Sequence, residues 1–133
     1  MKIKPFVIGL LVLLVAAYAL VGAYNKYWSP AARAQQAGDA FLRAAVAGDA
    51  ERVASLLAAD AELTPAEAVR LYQGLRQPKA FDVIKSLPNR SGVEYLVHAG
   101  GIDASGFPNT TSFAMKREDG RWVVLKAGRA LRY

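Results

Sequence analysis

Four side chains in the second half of the chain have the types that move protons: Asp82, Glu94, His98 and Asp103. A carboxylate and an imidazole act as base and acid when both reach the same reacting atoms. Glu94 and His98 fall in a run where Val93, Tyr95 and Val97 alternate with Glu94, Leu96 and His98, the two-residue period of a strand. That spacing puts Glu94 and His98 on one face, facing solvent, about 13 Å apart at roughly 3.4 Å per residue, too far for a direct hydrogen bond. No residue is therefore assigned as catalytic. Tyr72, Asp82, Tyr95, His98 and Trp122 are instead the candidates for lining a cavity or touching a ligand, although aromatic residues at these spacings serve equally well as core.

The absences are as informative. His98 is the sole histidine and cysteine is missing, which excludes a multi-histidine metal site, zinc thiolates, a disulfide framework and a cysteine nucleophile. The acidic residues show no calcium-loop spacing, so neither a metal nor a cofactor is expected. The formal net charge is +6, but setting aside Lys2, Lys4 and Lys26 leaves 14 of the 17 basic residues against 11 acidic ones. The basic excess from Lys116 to Arg132 reads as a solvated strand face and tail. No helix-turn-helix, knuckle or aromatic-basic motif accompanies it, so nucleic acid is not an expected partner.

Helical signals come first among the elements that must position these residues. Ser29-Pro30 pairs a capping serine with a proline at the first helical position, and Ala37, Phe41, Ala44 and Ala45 then mark one apolar face up to Ala47. Gly48 closes this helix, and Asp49 caps a second that carries Val53, Leu56 and Leu57. Thr64-Pro65-Ala66-Glu67 predicts a third, burying Val69, Leu71, Tyr72 and Leu75 before Gln77-Pro78 ends it. The period then becomes alternating, with Phe81, Val83 and Leu87, then Val93, Tyr95 and Val97, then Phe113 and Met115, then Trp122 expected to point inward. Asp119-Gly120 between the last two runs is a hairpin signal. Three helices followed by an antiparallel sheet predict an α+β fold, the helices covering one face of a curved sheet.

Before all of this stands an apolar run from Phe6 to Ala23 without a charge, preceded by Lys2 and Lys4 and followed by Tyr24, Tyr27 and Trp28. As a helix it rises roughly 27 Å at about 1.5 Å per residue, close to the hydrocarbon thickness of a bilayer. Lysines before it and aromatic rings after it predict a single-pass anchor in the cytoplasmic (inner) membrane, N-terminus inside. Residues 1–28 are thus expected to form the anchor and residues 29–133 a domain outside the cytoplasm. The competing reading is a cleaved signal peptide, for which Ala17-Tyr18-Ala19 and Val21-Gly22-Ala23 supply small-residue cleavage patterns.

The segment AGDAFLRAAVAGDAERVASLLAAD, a long helix ending in Gly-Asp before a short leucine-bearing helix, together with EDGRWVVLKAG near the end, resembles the nuclear transport factor 2-like superfamily. The resemblance covers about Ala34 to Ala127 and is strongest to bacterial membrane-anchored domains. It implies a cone-shaped domain in which a curved sheet wraps a helix, a pocket at the cone's mouth and frequent dimerisation. Enzymes of that fold use cavity carboxylates and histidines for proton transfer. The expectation here is a membrane-anchored cell-envelope binding or assembly module without catalytic activity, partnered by a second copy or another envelope protein. The alternative is a small-ligand-binding or isomerase-like enzyme that uses the cone cavity.

Overall fold

A computed structural model describes residues 4–128; Lys2, Arg129 and Arg132 lie outside the described residues. Helix α1 spans Pro5–Ala23 and buries none of its residues, as a uniformly apolar sequence with no polar stripe dictates. One π-helical turn, Tyr24–Trp28, extends it. The helical path stops at Ser29, whose extended backbone lets its hydroxyl accept the Ala32 N–H at 3.2 Å and cap α2, Pro30–Ala47. Gly48 ends α2, and Asp49 caps α3, Ala50–Leu56, by accepting the Arg52 N–H. Thr64 caps α4, Pro65–Tyr72, accepting the Glu67 N–H while donating to the Glu67 carboxylate.

Four antiparallel strands follow as a meander in spatial order β1-β2-β3-β4: Arg76–Lys85, Tyr95–Ile102, Pro108–Glu118 and Arg121–Gly128. Asp119 and Gly120 both have positive φ, the requirement of a two-residue hairpin whose twist matches its strands. Helix α2 lies across the inner face of the sheet, where Phe41, Leu42 and Ala45 pack with Val97, Phe113 and Met115. The crossing is close at Gly38, where a Cβ would stand 2.8 Å from Val97 Cγ1. A smaller cluster of Ala58, Val93, Leu96, Ala114, Val123 and Leu125 covers part of the outer face.

Both sheet edges are partly covered, which limits edge-to-edge association. On β1, Asp39 of α2 accepts the Ala80 N–H at 2.9 Å and Gln35 donates to the Ala80 carbonyl. On β4, the chain leaving α3 runs alongside, with the Ala58 N–H donating to the Val124 carbonyl at 2.8 Å. Lys116 ties that segment to the sheet through Asp60 at 2.7 Å, and Glu118, 3.4 Å from the same ammonium, accepts the Ala59 N–H at 3.1 Å. These contacts hold the Lys116 ammonium pKa above its ordinary value and the Asp60 carboxyl below its own.

The α+β class, the helices on one sheet face and the final hairpin are as the sequence predicts, but several inward assignments are not. Gln77-Pro78 does not stop a helix; it lies inside β1, an edge strand that tolerates proline, and α4 ends at Tyr72. An irregularity between Ala80 and Asp82 shifts the pairing, so Ala80 is buried while Phe81 is 56% exposed. Leu71 and Leu87 are exposed as well. Val93 packs with Leu96 on the outer face rather than with Tyr95 and Val97. Alternation predicts a face only while the register is unbroken.

Candidate functional site

The inside of the cone is packed. Phe41 and Phe113 meet edge to face at 5.1 Å and Tyr72 meets Phe113 at 5.9 Å. Phe41, Leu42, Phe113, Met115, Val53 and Val97 have essentially no exposed surface. Among the described residues the buried polar side chains are Ser86, Thr111 and Ser112, with no carboxylate or histidine. Tyr72 belongs to the buried cluster; its hydroxyl is hydrogen-bonded to Thr111 Oγ1 at 2.7 Å, and burial pushes its pKa up. Thr111 in turn donates to the Gly128 carbonyl at 3.4 Å. What remains open here is a pocket of about 140 Å³ between α4 and the strand ends, lined by Leu71, Tyr72, Leu75 and Thr111 among others.

Tyr95 and Trp122 form a second aromatic pair, edge to face at 5.5 Å. The Arg117 guanidinium lies 5.0 Å from the Trp122 ring centre and donates two hydrogen bonds to Glu94, at 2.7 and 2.8 Å. A bidentate pair over an aromatic face locks both side chains, and it holds the Glu94 carboxyl below its ordinary pKa. Glu94 is thereby engaged as an acceptor rather than poised to take a proton. A broad groove of about 720 Å³ opens beside Trp122, with Tyr27 and Trp28 of the π-helical turn in its wall together with Arg33, Gln36, Arg52 and Leu56.

Asp82 and His98 stand opposite one another in the β1–β2 register, on the face turned away from α2. The Ser112 hydroxyl and His98 Nδ1 are hydrogen-bonded at 3.2 Å, and the Phe81 ring lies 6.5 Å from the imidazole. His98 is therefore half-buried on the outer face rather than fully solvated, because its cross-strand neighbour offers a hydroxyl. Asp82 is exposed and accepts the Val83 N–H. Asp103 accepts the Ser105 and Phe107 N–H groups and so shapes the β2–β3 turn.

The five cavity candidates thus divide among three places: Tyr72 at one end of the packed interior, Tyr95 and Trp122 at the other, Asp82 and His98 outside. Sequence reasoning missed Thr111, although a buried tyrosine hydroxyl demands some such partner. It also missed Arg33 and Arg52 beside Trp122. Arg33 lies close to the aromatic belt in sequence, but nothing local signals that α3 brings Arg52 to the same groove.

A curved, four-stranded antiparallel meander packed around one long helix, with two short helices closing it, is a nuclear transport factor 2-like fold. No protein-family model matches the chain, and no curated protein matches it. Among solved structures, it is similar to a chain from Xanthomonas campestris described as a calcium/calmodulin dependent protein kinase II association domain. The identity is 15% and the TM-score 0.42, over 68% of this chain and 79% of that one. It is also similar to a designed nuclear transport factor 2-like protein at 11% identity and a TM-score of 0.47, over 67% of this chain and 89% of that one.

Proposed function

We propose that this chain is a membrane-anchored binding or assembly module of the cell envelope that performs no chemistry of its own. The observation that carries the proposal is the packed cone. The interior that a catalyst of this fold would use is taken by Phe41, Phe113, Met115 and Tyr72, with no carboxylate or imidazole among them. Each of the four proton-carrying candidates lies outside that interior: Glu94 is engaged with Arg117, His98 with Ser112 and Asp103 with its own turn, and the exposed Asp82 accepts the Val83 N–H. A base and an acid within reach of one substrate atom are what proton transfer needs, and this arrangement separates them.

Helix α1 supports the anchor. Nineteen residues rise about 28 Å at about 1.5 Å each, enough to span the hydrocarbon core. With Lys2 and Lys4 ahead of it, the preferred orientation keeps the N-terminus in the cytoplasm and residues 29–133 outside the inner membrane. Confinement to a plane raises the effective concentration of an assembly partner, which is the advantage such a helix gives a non-catalytic domain. Crosslinking in intact cells tests the proposal: a defined adduct with a second copy or with an envelope protein is expected, and a strictly monomeric chain without neighbours contradicts it.

The small pocket beside Tyr72 favours a second reading, a binder of a small ligand. Its volume of about 140 Å³ is well under the roughly 300–1,000 Å³ of ordinary ligand sites, so this reading ranks below the first. A small molecule that bound the native chain and lost affinity in Tyr72→Phe would reverse the order.

A further inference from the structure

The groove beside Trp122 is the feature that neither the packed interior nor the assembly reading uses. Its position is set by α1. Tyr27 and Trp28 stand four and five residues beyond Ala23, a rise of about 6–7 Å at about 1.5 Å per residue. A bilayer is about 40–45 Å thick around a core of about 30 Å, so each headgroup layer is about 5–8 Å deep. If Ala23 marks the edge of the hydrocarbon, the wall of the groove formed by Tyr27 and Trp28 lies within that layer. Both rings are exposed, as residues that favour the interface are expected to be.

The charge in the groove is one-sided. Arg33 from α2 and Arg52 from α3 line it, and no acidic side chain is among its described lining residues. On the strands nearby, Lys116, Arg117 and Lys126 are paired with carboxylates, whereas neither the Arg33 nor the Arg52 guanidinium has a hydrogen bond or ion pair among the described residues. Two planar guanidinium groups beside one cavity match the oxygens of a phosphate, which they hold through paired N–H donors. Leu56 and Trp122 supply an apolar wall next to them, suited to the glycerol and first methylenes of a lipid.

We infer that this groove binds the headgroup phosphate of an anionic phospholipid from the extracytoplasmic leaflet, through Arg33 and Arg52. The inference rests on the reading of α1 as a retained anchor, which delivers the groove to the membrane surface. Lipid held there fixes the tilt of the domain relative to the bilayer and thereby which faces it offers to a partner.

Native mass spectrometry of the full chain released from detergent micelles, with phosphatidylglycerol or phosphatidylcholine added, tests this. Phosphatidylglycerol is expected to bind up to about 25-fold better, since each of the two arginines near an anionic surface contributes about a fivefold preference. In the Arg33→Gln, Arg52→Gln double variant that preference should fall to about twofold or less. Arg70→Gln, at an exposed position on α4 that does not line the groove, should keep it. Equal binding of the two lipids, or a preference that survives the double substitution, overturns the inference. Displacement of the lipid by millimolar inorganic phosphate also overturns it, showing a general anion site instead. Alkaline carbonate extraction of cell membranes separates the two levels. A released chain removes the anchor reading and this inference with it, whereas a retained chain without lipid preference removes the inference alone.

Discussion

Trp122 and His98 show how differently two residues proposed for one cavity can be used. Trp122 is 9% exposed, held between the edge-to-face Tyr95 ring and the Arg117 guanidinium, and its truncation removes a large buried aromatic. Trp122→Ala should cost about 3 kcal/mol, the lower end for such residues because one side borders the open groove. His98→Ala should cost about 1 kcal/mol, since it leaves the buried Ser112 hydroxyl without that partner. Urea melts of the two variants in detergent measure both; a Trp122→Ala loss smaller than that of His98→Ala contradicts the assignment of faces. The Glu94–Arg117 pair makes a separate prediction about pH. Because Arg117 lowers the Glu94 pKa in the folded state, the pair contributes stability above the ordinary glutamate value of 4.5 and loses it as pH falls through the lower folded value. Both side chains are more than a third exposed, so solvent screening keeps the contribution small. Arg117→Gln should therefore lower stability slightly at neutral pH and flatten its decline in acid. An acid limb as steep as that of the native chain would count against the pair.

Helix α2 crosses the sheet at close range, and Gly38 permits it. Gly38→Ala would improve helix propensity by up to about 1 kcal/mol, yet its Cβ would press on Val97 and stand 3.3 Å from Phe113. Val97 is fully buried and β-branched, so it has little freedom to yield. Overpacking of about 1–3 kcal/mol should win, and the variant should melt below the native chain; a higher melting point would show that the helix can lift away. The helices were legible in the sequence because caps and breakers are local: Ser29, Asp49 and Thr64 each cap the helix their spacing announces. The strands were legible in number and order but not in facing. Phe81 lies beside a pairing irregularity set by Ala80 bonding to Asp39, a partner 41 residues away that no window around Phe81 contains. The site was less legible still. Tyr72 and Trp122 were visible as large aromatics, whereas their separation to opposite ends of the packed interior and the meeting of Arg33 with Arg52 depend on how α2, α3 and the sheet cross.

At the scale of the whole molecule, two parts present opposite surfaces. Helix α1 buries none of its apolar residues, a state that water disfavours and a bilayer would satisfy. The rest buries its apolar residues in one main cluster between α2 and the sheet and a smaller one on the outer face. Ser29, extended between two helical segments, is where the chain passes from one regime to the other. Its neighbour, the π-helical turn, stays close to α2, where Gln36 donates to the Tyr27 carbonyl at 3.1 Å. Such a contact orients the domain on α1, which the proposed assembly subunit needs and a released domain does not. The account therefore depends on the anchor being retained. The direct measurement is peptide mapping of the mature protein recovered from carbonate-washed inner membranes. Detection of the intact Pro5–Ala23 segment, joined to Tyr24–Trp28 in the membrane-bound chain, is the predicted result. A mature protein that begins after Ala19 or Ala23 and is recovered in the soluble fraction would contradict it.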